Sequence, residues 1–367
     1  MKHRVLFVGR GRLTLPLQPW LAKKWDALEE VFELKVLNAG SGNGDPRFEL
    51  LPDQAPVFYS RLAFAIGRAI RQHRPSAIVA SDPYIGTAAL VGRRLARATP
   101  KVIVEVHGDP RTFTRSYGSP GRRLLSPAVD AVAHHGLRHA DATRALSAFT
   151  SSLIAEIRGV PATAAFPTYS DLSAFVGPPL VPVPREPRVI FVAALEPYKN
   201  VDGLAAAWRQ VAHELADAKL VVVGRGSRHE VIDRLVADLP GQVEHHLELP
   251  PDRVAAEMDR ARALILPSWP EGLGRVVLEA FARGRTTVAT NAGGIRDIVT
   301  DGHDGVLIPV ADTAALADGM LRVLLDHDLV VRLGQAAHET YGPWHQTADD
   351  FAQAYADLVA RALAGAR

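Results

Sequence analysis

The sequence has no cysteine, three methionines and few aromatic residues, 7% in all. Without cysteine there are no disulfides, no thiolate nucleophile and no cysteine-held zinc, although the compartment stays open on that ground alone. No apolar run approaches the length of a membrane span, and Val5–Val8, set between Met1-Lys-His-Arg4 and Gly9-Arg-Gly-Arg12, is too short for a secretory signal. The cytoplasm is therefore the expected location. Net charge is also scarce, at +2, but that sum hides an asymmetry. Residues 1–180 hold 23 Lys+Arg against 14 Asp+Glu, a difference of +9, and the remainder hold 19 against 26, a difference of −7. A basic half suits an anionic partner such as a membrane surface or a phosphorylated lipid carrier, or it is only a solvated surface. What remains is ordinary globular composition: 367 residues, 47% hydrophobic and 22% charged, enough for two domains with sizeable cores.

The most informative stretch is Ser268-Trp-Pro-Glu271-Gly-Leu-Gly-Arg275-Val-Val-Leu-Glu279-Ala-Phe-Ala-Arg-Gly284. Ala263–Leu266 reads as a short apolar strand, Pro267–Gly274 cannot continue it, and Arg275–Arg283 resumes with helical spacing until Gly284 caps the end. A glycine turn where a strand hands over to a helix N-terminus offers backbone N–H groups and the positive end of a helix dipole to an anion. Gly272 and Gly274 allow a ligand close to the main chain, with Leu273 and Arg275 beside them. A diphosphate fits there. Glu271 in the turn and Glu279 in the helix are acceptor-only groups that address different parts of one ligand, as the vicinal hydroxyls of a ribose and a hexose require.

Strands alternate with helices along the rest of the chain, which argues for parallel sheets with ligands gathered at the strand C-termini. Val5–Val8 ends in an expected glycine turn at Gly9 and Gly11, Ala77–Ala80 ends at Ser81-Asp82, and Val102–Val106 ends at His107. Val31–Leu37 reads as a further strand, and Tyr59–Gln72 as an amphipathic helix. Between Arg111 and Arg144, six arginines (111, 115, 122, 123, 138 and 144) and three histidines interleave with Leu124, Leu125, Val129 and Val132. That is either a membrane-facing surface or a solvated face over a normal buried stripe. Gly177–Pro187 carries five prolines, cannot be a helix, and reads as a semi-rigid linker. A second strand-helix series follows from Val189, with Leu220–Val223 running into Gly224-Arg-Gly226. The closing segment Tyr341–Leu363 reads as an amphipathic helix with Phe351, Tyr355, Leu358 and Ala362 on one side.

Glu271 and Glu279, seven residues apart in the context Pro-Ser-x-x-Glu-Gly-x-Gly-x-x-x-x-Glu-Ala, resemble the E-x7-E motif of the family-4 (group 1) retaining glycosyltransferases. Thr168 and Tyr169 replace the usual Asn-Gly of that family's P-N-G-x-D segment. Asn291-Ala-Gly-Gly-Ile-Arg-Asp297 is similar to its G-G-x-x-E, with Asp297 for Glu. At the turn that reads G-R-L-x-x-x-K in the family, Leu195 and Lys199 match, but Ala193-Ala194 stand where Gly-Arg is usual. A bidentate phosphate donor is lost there, for which Arg12, Arg225 or Arg275 would have to substitute.

The resemblance implies an α/β protein of the GT-B fold: two Rossmann-like doubly wound domains facing a cleft, residues 1–180 for the acceptor and 181–345 for the nucleotide sugar, with a helix over 346–367 crossing back to the first. It implies retaining transfer of a hexosyl group from a nucleoside diphosphate sugar to a glycan, lipid-linked or small-molecule acceptor. Glu271, His107 and Lys199 would be catalytic. Gly9, Gly11, Gly224, Gly272, Leu273, Gly274, Arg275 and Glu279 would bind the donor, and Arg12 and Asp82 the acceptor. A lone histidine after a strand is by default structural; the resemblance turns His107 toward the sugar. No metal, cofactor or nucleic acid is expected, and Asp326-His-Asp328 reads as a solvated helix terminus. Several members of the family sit on the inner face of a membrane, which fits the basic first half. An epimerase of the same architecture and a non-catalytic binding relative are the alternatives.

Overall fold

Short apolar runs separated by amphipathic helices bury both faces of each strand, which is the condition for a parallel sheet covered on both sides. The computed structural model describes residues 2–109 and 126–365 and contains two such sheets. The chain divides into two compact units, Met1–Asp171 with Gln346–Arg367, and Leu172–His345.

The first unit holds β1 (His3–Thr14), α1 (Pro19–Val31), β2 (Phe32–Ser41), β3 (Phe48–Leu51), α2 (Ala55–His73), β4 (Ala77–Ala80), α3 (Pro83–Ala96) and β5 (Lys101–Val106). After the undescribed segment come α4 (Ser126–Arg138), β6 (Ala142–Ala145), α5 (Ala148–Arg158) and β7 (Ala164–Ala165). All pairings are parallel, in the order β3-β2-β1-β4-β5-β6-β7. The two-residue period of β1 sends Leu6 and Val8 into a layer with α2 and α3, and Val5 and Phe7 into a layer with α1 and the last helix.

The expected glycine turn after Val8 is not there. Strand β1 runs on through Gly9 and Gly11 to Thr14, with an irregularity between Gly9 and Leu13 in its register on β2. Asn38 explains the glycine: a Cβ on Gly9 would come within 2.3 Å of its Oδ1, while its amide donates to the carbonyls of Gly11 and Ala39.

The second unit holds α6 (Ser173–Val176), β8 (Arg188–Val192), α7 (Val201–Glu214), β9 (Lys219–Val223), α8 (His229–Asp238), β10 (Val243–His246), α9 (Pro251–Asp259) and β11 (Ala263–Leu266). It continues with α10 (Arg275–Ala282), β12 (Thr286–Thr290), β13 (Gly305–Ile308), α11 (Thr313–Leu325) and α12 (His327–Tyr341). Its sheet is parallel in the order β10-β9-β8-β11-β12-β13, around a core that includes Phe191, Trp208, Ile265 and Met320. Asp326 caps α12 by accepting from the Leu329 N–H at 2.9 Å.

The last helix, α13 (Ala348–Leu363), begins with a reciprocal Thr347–Asp350 capping box. Phe351, Tyr355, Leu358 and Ala362 bury its apolar face in the first unit, where the Tyr355 ring lies 5.4 Å from that of Phe7.

The proline-rich segment is a clamped strap. Proline supplies no N–H, so its neighbouring carbonyls need donors from elsewhere. Arg283, 1% exposed, donates to the carbonyls of Phe175, Pro178 and Pro179 and forms a forked pair with Asp259. Arg285 donates to Val181 and Pro182, and Arg262 to Pro184, Arg185 and Glu186. Removing a buried guanidinium leaves carbonyls and a carboxylate without partners. Arg283→Met is therefore expected to cost about 3–5 kcal/mol, read as a lower urea midpoint by tryptophan fluorescence; a loss within experimental error would show that the strap is held without it.

Candidate functional site

In an open parallel sheet, the two strands that flank the reversal of strand order leave a crevice at their C-terminal ends. In the second unit those strands are β8 and β11. The turn after β8 carries Lys199, and the turn after β11 carries Glu271. They meet there, with Lys199 Nζ donating to Glu271 Oε1 at 2.8 Å and both side chains largely buried, 11% and 14% exposed. The two turns are tied by the Trp269 N–H on the Tyr198 carbonyl, also at 2.8 Å. A third turn supports them, because Gly294 N–H donates to the Glu271 carbonyl and Gly293 lies against the same peptide. A Cβ on either glycine would collide with the backbone of Glu271–Leu273, which accounts for the Gly-Gly pair.

Gly274 has φ +83° and is the N-cap of α10, and as a glycine it supplies no side-chain cap of its own. Gly272 and Leu273 are buried behind it, and Arg275 is exposed. Glu279 follows one turn into α10, half-buried, with no hydrogen bond among the described residues; burial pushes its carboxyl up to about 7 against the opposing pull of Arg275. Gly224 lies where a side chain would meet the Ala193 carbonyl, so it brings the turn after β9 against the turn after β8. Ala194 is exposed at that edge, and Arg225, on the adjoining turn, pairs with Glu248 at 3.3 Å.

In the first unit the reversal lies between β1 and β4. Arg10, near the end of β1, covers the Tyr59 ring at 5.1 Å, and burial pushes the Tyr59 phenol up to about 12. Asp82 caps α3 by accepting from the Ile85 N–H at 2.8 Å. Burial raises its carboxyl above the ordinary range, opposed by that bond and by His107 and Arg10. His107, at the end of β5, is 39% exposed and bonds through Nε2 to Glu105 Oε2 at 3.0 Å. Arg12 is exposed, paired with Asp53 at 3.3 Å. Gly11 is open to solvent and Gly9 is filled in by Asn38, so these two glycines form a bulged strand and no phosphate-cradling turn.

The sequence reading missed Glu105, Arg10 and Tyr59. For Glu105 a signal existed: one acid inside Val-Ile-Val-Glu-Val, a buried strand, requires a buried partner. That partner is Arg144, which is 1% exposed and belongs to no basic surface. Of the remaining patch, Arg111, Arg115, Arg122, Arg123, Leu124 and Leu125 lie outside the described residues.

Two doubly wound parallel sheets, with the C-terminal helix returned to the first, define the GT-B class of Rossmann-type proteins. The sucrose-phosphate synthase of Thermosynechococcus elongatus shares this fold with a TM-score of 0.76 over 97% of this chain and 100% of that one, at 18% identity. Anabaena HepE, solved in complex with UDP-glucose, shares it with a TM-score of 0.70 at 17% identity over 98% and 99%. Among curated proteins, the chain is 31% identical over 155 residues to the N-acetyl-alpha-D-glucosaminyl L-malate synthase of Bacillus anthracis, covering 42% of this chain and 40% of that protein. It is 35% identical over 186 residues to the D-inositol 3-phosphate glycosyltransferase of Salinispora arenicola, covering 47% and 41%. The match thus spans less than half of these relatives. The family model for a glycosyl transferase 4-like domain matches residues 20–167, and that for glycosyl transferases group 1 matches residues 179–340. The chain belongs to the group 1, family-4-like glycosyltransferases.

The Glu279 carboxyl allows a check that needs no substrate. Its folded pKa, about 7, lies above its ordinary value of 4.5, so the unfolded chain releases this proton first. Its contribution to stability is present below the ordinary value and is lost as pH rises to the folded one. Glu279→Gln should therefore be more stable than the wild type at alkaline pH, by about 1–3 kcal/mol after allowing for partial exposure. The gap should close toward acid pH in urea titrations; a gap that stays constant with pH would contradict the shift.

Proposed function

We propose that this protein transfers a hexosyl group from a nucleoside diphosphate sugar to a hydroxyl of a glycan, lipid-linked or small-molecule acceptor, with retention and without a metal. The observation that carries the reading is the Lys199–Glu271 pair at the switch point of the second sheet, beside the glycine-fronted terminus of α10. The complex of the structural relative HepE with UDP-glucose supports a nucleotide sugar as donor.

In the proposed chemistry the bond from the anomeric carbon to the diphosphate oxygen breaks and a bond to the acceptor oxygen forms on the same face. The acceptor proton leaves with the diphosphate. Lys199 and the α10 terminus stabilise the charge that develops on the departing oxygen. Glu271 accepts from hydroxyls of the hexose as its ring becomes oxocarbenium-like, and a sugar hydroxyl is the proposed partner of His107. Glu279 accepts from the ribose hydroxyls once ionised. Arg225, on the turn that adjoins Ala194, is the proposed substitute cation for the diphosphate.

A peripheral position on the inner face of a membrane is also proposed, on a surface that takes Val132 and Arg138 from the segment 111–144 and its other residues from α2 and α3. Helices α2, α3 and α4 pack side by side and expose Phe64, Val91, Leu95 and Val132 among Arg61, Arg68, Arg71, Arg94 and Arg138. The one acid within the three helices, Asp130, is buried. Apolar side chains set among arginines suit an anionic bilayer.

Calorimetry with a panel of nucleoside diphosphates and their sugars, with and without magnesium, tests the donor site. One nucleotide should bind in both conditions, and Glu271→Ala should abolish transfer while leaving that nucleoside diphosphate bound. No binding across the panel would favour a non-catalytic relative, the reading that Ala194 supports. Co-sedimentation with anionic vesicles should fall as salt rises and fall again in Phe64→Asp; binding insensitive to both would remove the membrane from the proposal.

A further inference from the structure

Glu105 is 5% exposed in the middle of the first sheet, and a carboxylate so placed is costly unless its lone pairs are taken. Three elements supply the partners. Arg144 of β6 donates to Oε1 at 2.8 Å, Tyr355 of α13 donates to the same oxygen, and His107 meets Oε2 at 3.0 Å. Arg144 also reaches the Tyr355 hydroxyl at 2.9 Å and the carbonyls of Phe166 and Pro167, and the Phe166 ring lies 4.2 Å from its guanidinium carbon. The guanidinium beside Glu105 and the bonds it accepts hold its carboxyl well below the ordinary range.

An ionised carboxylate accepts and cannot donate. The proton on the Glu105–His107 bond therefore belongs to His107 Nε2, so that whenever the ring is neutral its lone pair lies on Nδ1. Nothing among the described residues hydrogen-bonds to Nδ1, and the ring is partly exposed at the C-terminal end of β5. The alternation of β5 places Glu105 and His107 on the sheet face that α13 covers, so the last helix reaches the site through one carboxylate.

We infer that Tyr355, Arg144 and Glu105 are positioning residues for His107, locking its Nε2–H tautomer so that Nδ1 faces outward as a hydrogen-bond acceptor for a sugar hydroxyl. The inference deepens the proposed function, since it rests on His107 meeting the sugar, and it gives the C-terminal helix a part in the site beyond packing. An acceptor at Nδ1 selects a ligand that presents a hydroxyl there, and a ligand lacking it would leave that nitrogen unpaired.

The test reads the ring directly. In the full chain with 15N-labelled histidine, the His107 signals, assigned by their loss in His107→Gln, should show a protonated Nε2 and a bare Nδ1 at alkaline pH. Glu105→Gln should convert this to a mixture of tautomers and lower kcat by about 10–100-fold, the size of effect seen on removing the partner that orients a metal-bound histidine. Because that variant leaves the buried Arg144 without its counter-charge, Tyr355→Phe serves as the milder one. It keeps the ion pair and should lower kcat with the KM for the nucleotide sugar unchanged. A wild-type ring protonated on Nδ1, or a tautomer unaltered in Glu105→Gln, would overturn the inference. So would a shifted tautomer with unaltered kcat. The ring signals are read without donor or acceptor, so failure of the proposed transfer activity would leave them standing as a separate result.

Discussion

Buried guanidinium groups hold the connection between the two sheets. From Phe166 to Glu186 the chain belongs to neither sheet and forms one helical turn, α6, while its prolines lack the N–H groups from which regular structure is made. Its carbonyls still need donors. Arg144 takes Phe166 and Pro167, Arg283 takes Phe175, Pro178 and Pro179, Arg285 takes Val181 and Pro182, and Arg262 takes Pro184 to Glu186. Each guanidinium offers five N–H donors in a rigid plane, so one buried side chain can satisfy several carbonyls that no strand or helix would reach. Burial pushes Arg285 down to about 10, still far enough above neutrality for it to remain charged. A lysine in these positions would bring three donors from a single point and a pKa more easily displaced.

The same topological rule then operates twice. Each sheet reverses its strand order once, between β1 and β4 in the first unit and between β8 and β11 in the second. Each reversal gathers charged side chains at the strand C-termini. In the first unit, Arg10 stands on β1 and Asp82 just beyond β4, the two strands that flank the reversal, with His107 after the next strand. In the second, the Lys199–Glu271 pair bridges it directly. No long-range search in sequence is needed to explain why residues 72 positions apart meet at 2.8 Å, because the sheet order brings their turns together.

Much of this was legible. The strand-turn-helix around Glu271 and Glu279 was readable because its apolar run, glycines and helical spacing are local signals, and the amphipathic stripe of Phe351, Tyr355, Leu358 and Ala362 was readable for the same reason. The turn at Gly9 was misread because glycine marks a close approach as readily as a bend. What decides between them is Asn38, on a neighbouring strand whose register a single sequence does not reveal. Arg144 was misread because a guanidinium inside the fold and one in solvent are written with the same letter. Only the buried Glu105 on the paired strand distinguishes the two. The proline strap was half legible: proline content excludes a helix, but the arginines that clamp the strap lie about a hundred residues away in the chain.

The Lys199–Glu271 pair also bears on the missing arginine. With Ala194 in its place, this turn has one cation, and Glu271 pairs with it. On the proposed function, a bound diphosphate competes for Lys199 with more negative charge than one carboxylate offers, and it does so where water is largely excluded and charge interactions are strong. As Lys199 turns to the diphosphate, both Glu271 oxygens become free to accept from hydroxyls. The pair would then serve as a built-in exchange, in which occupation of the phosphate end releases the carboxylate for the sugar end. An added arginine at Ala194 would weaken that coupling, since the diphosphate could then be held without drawing Lys199 away.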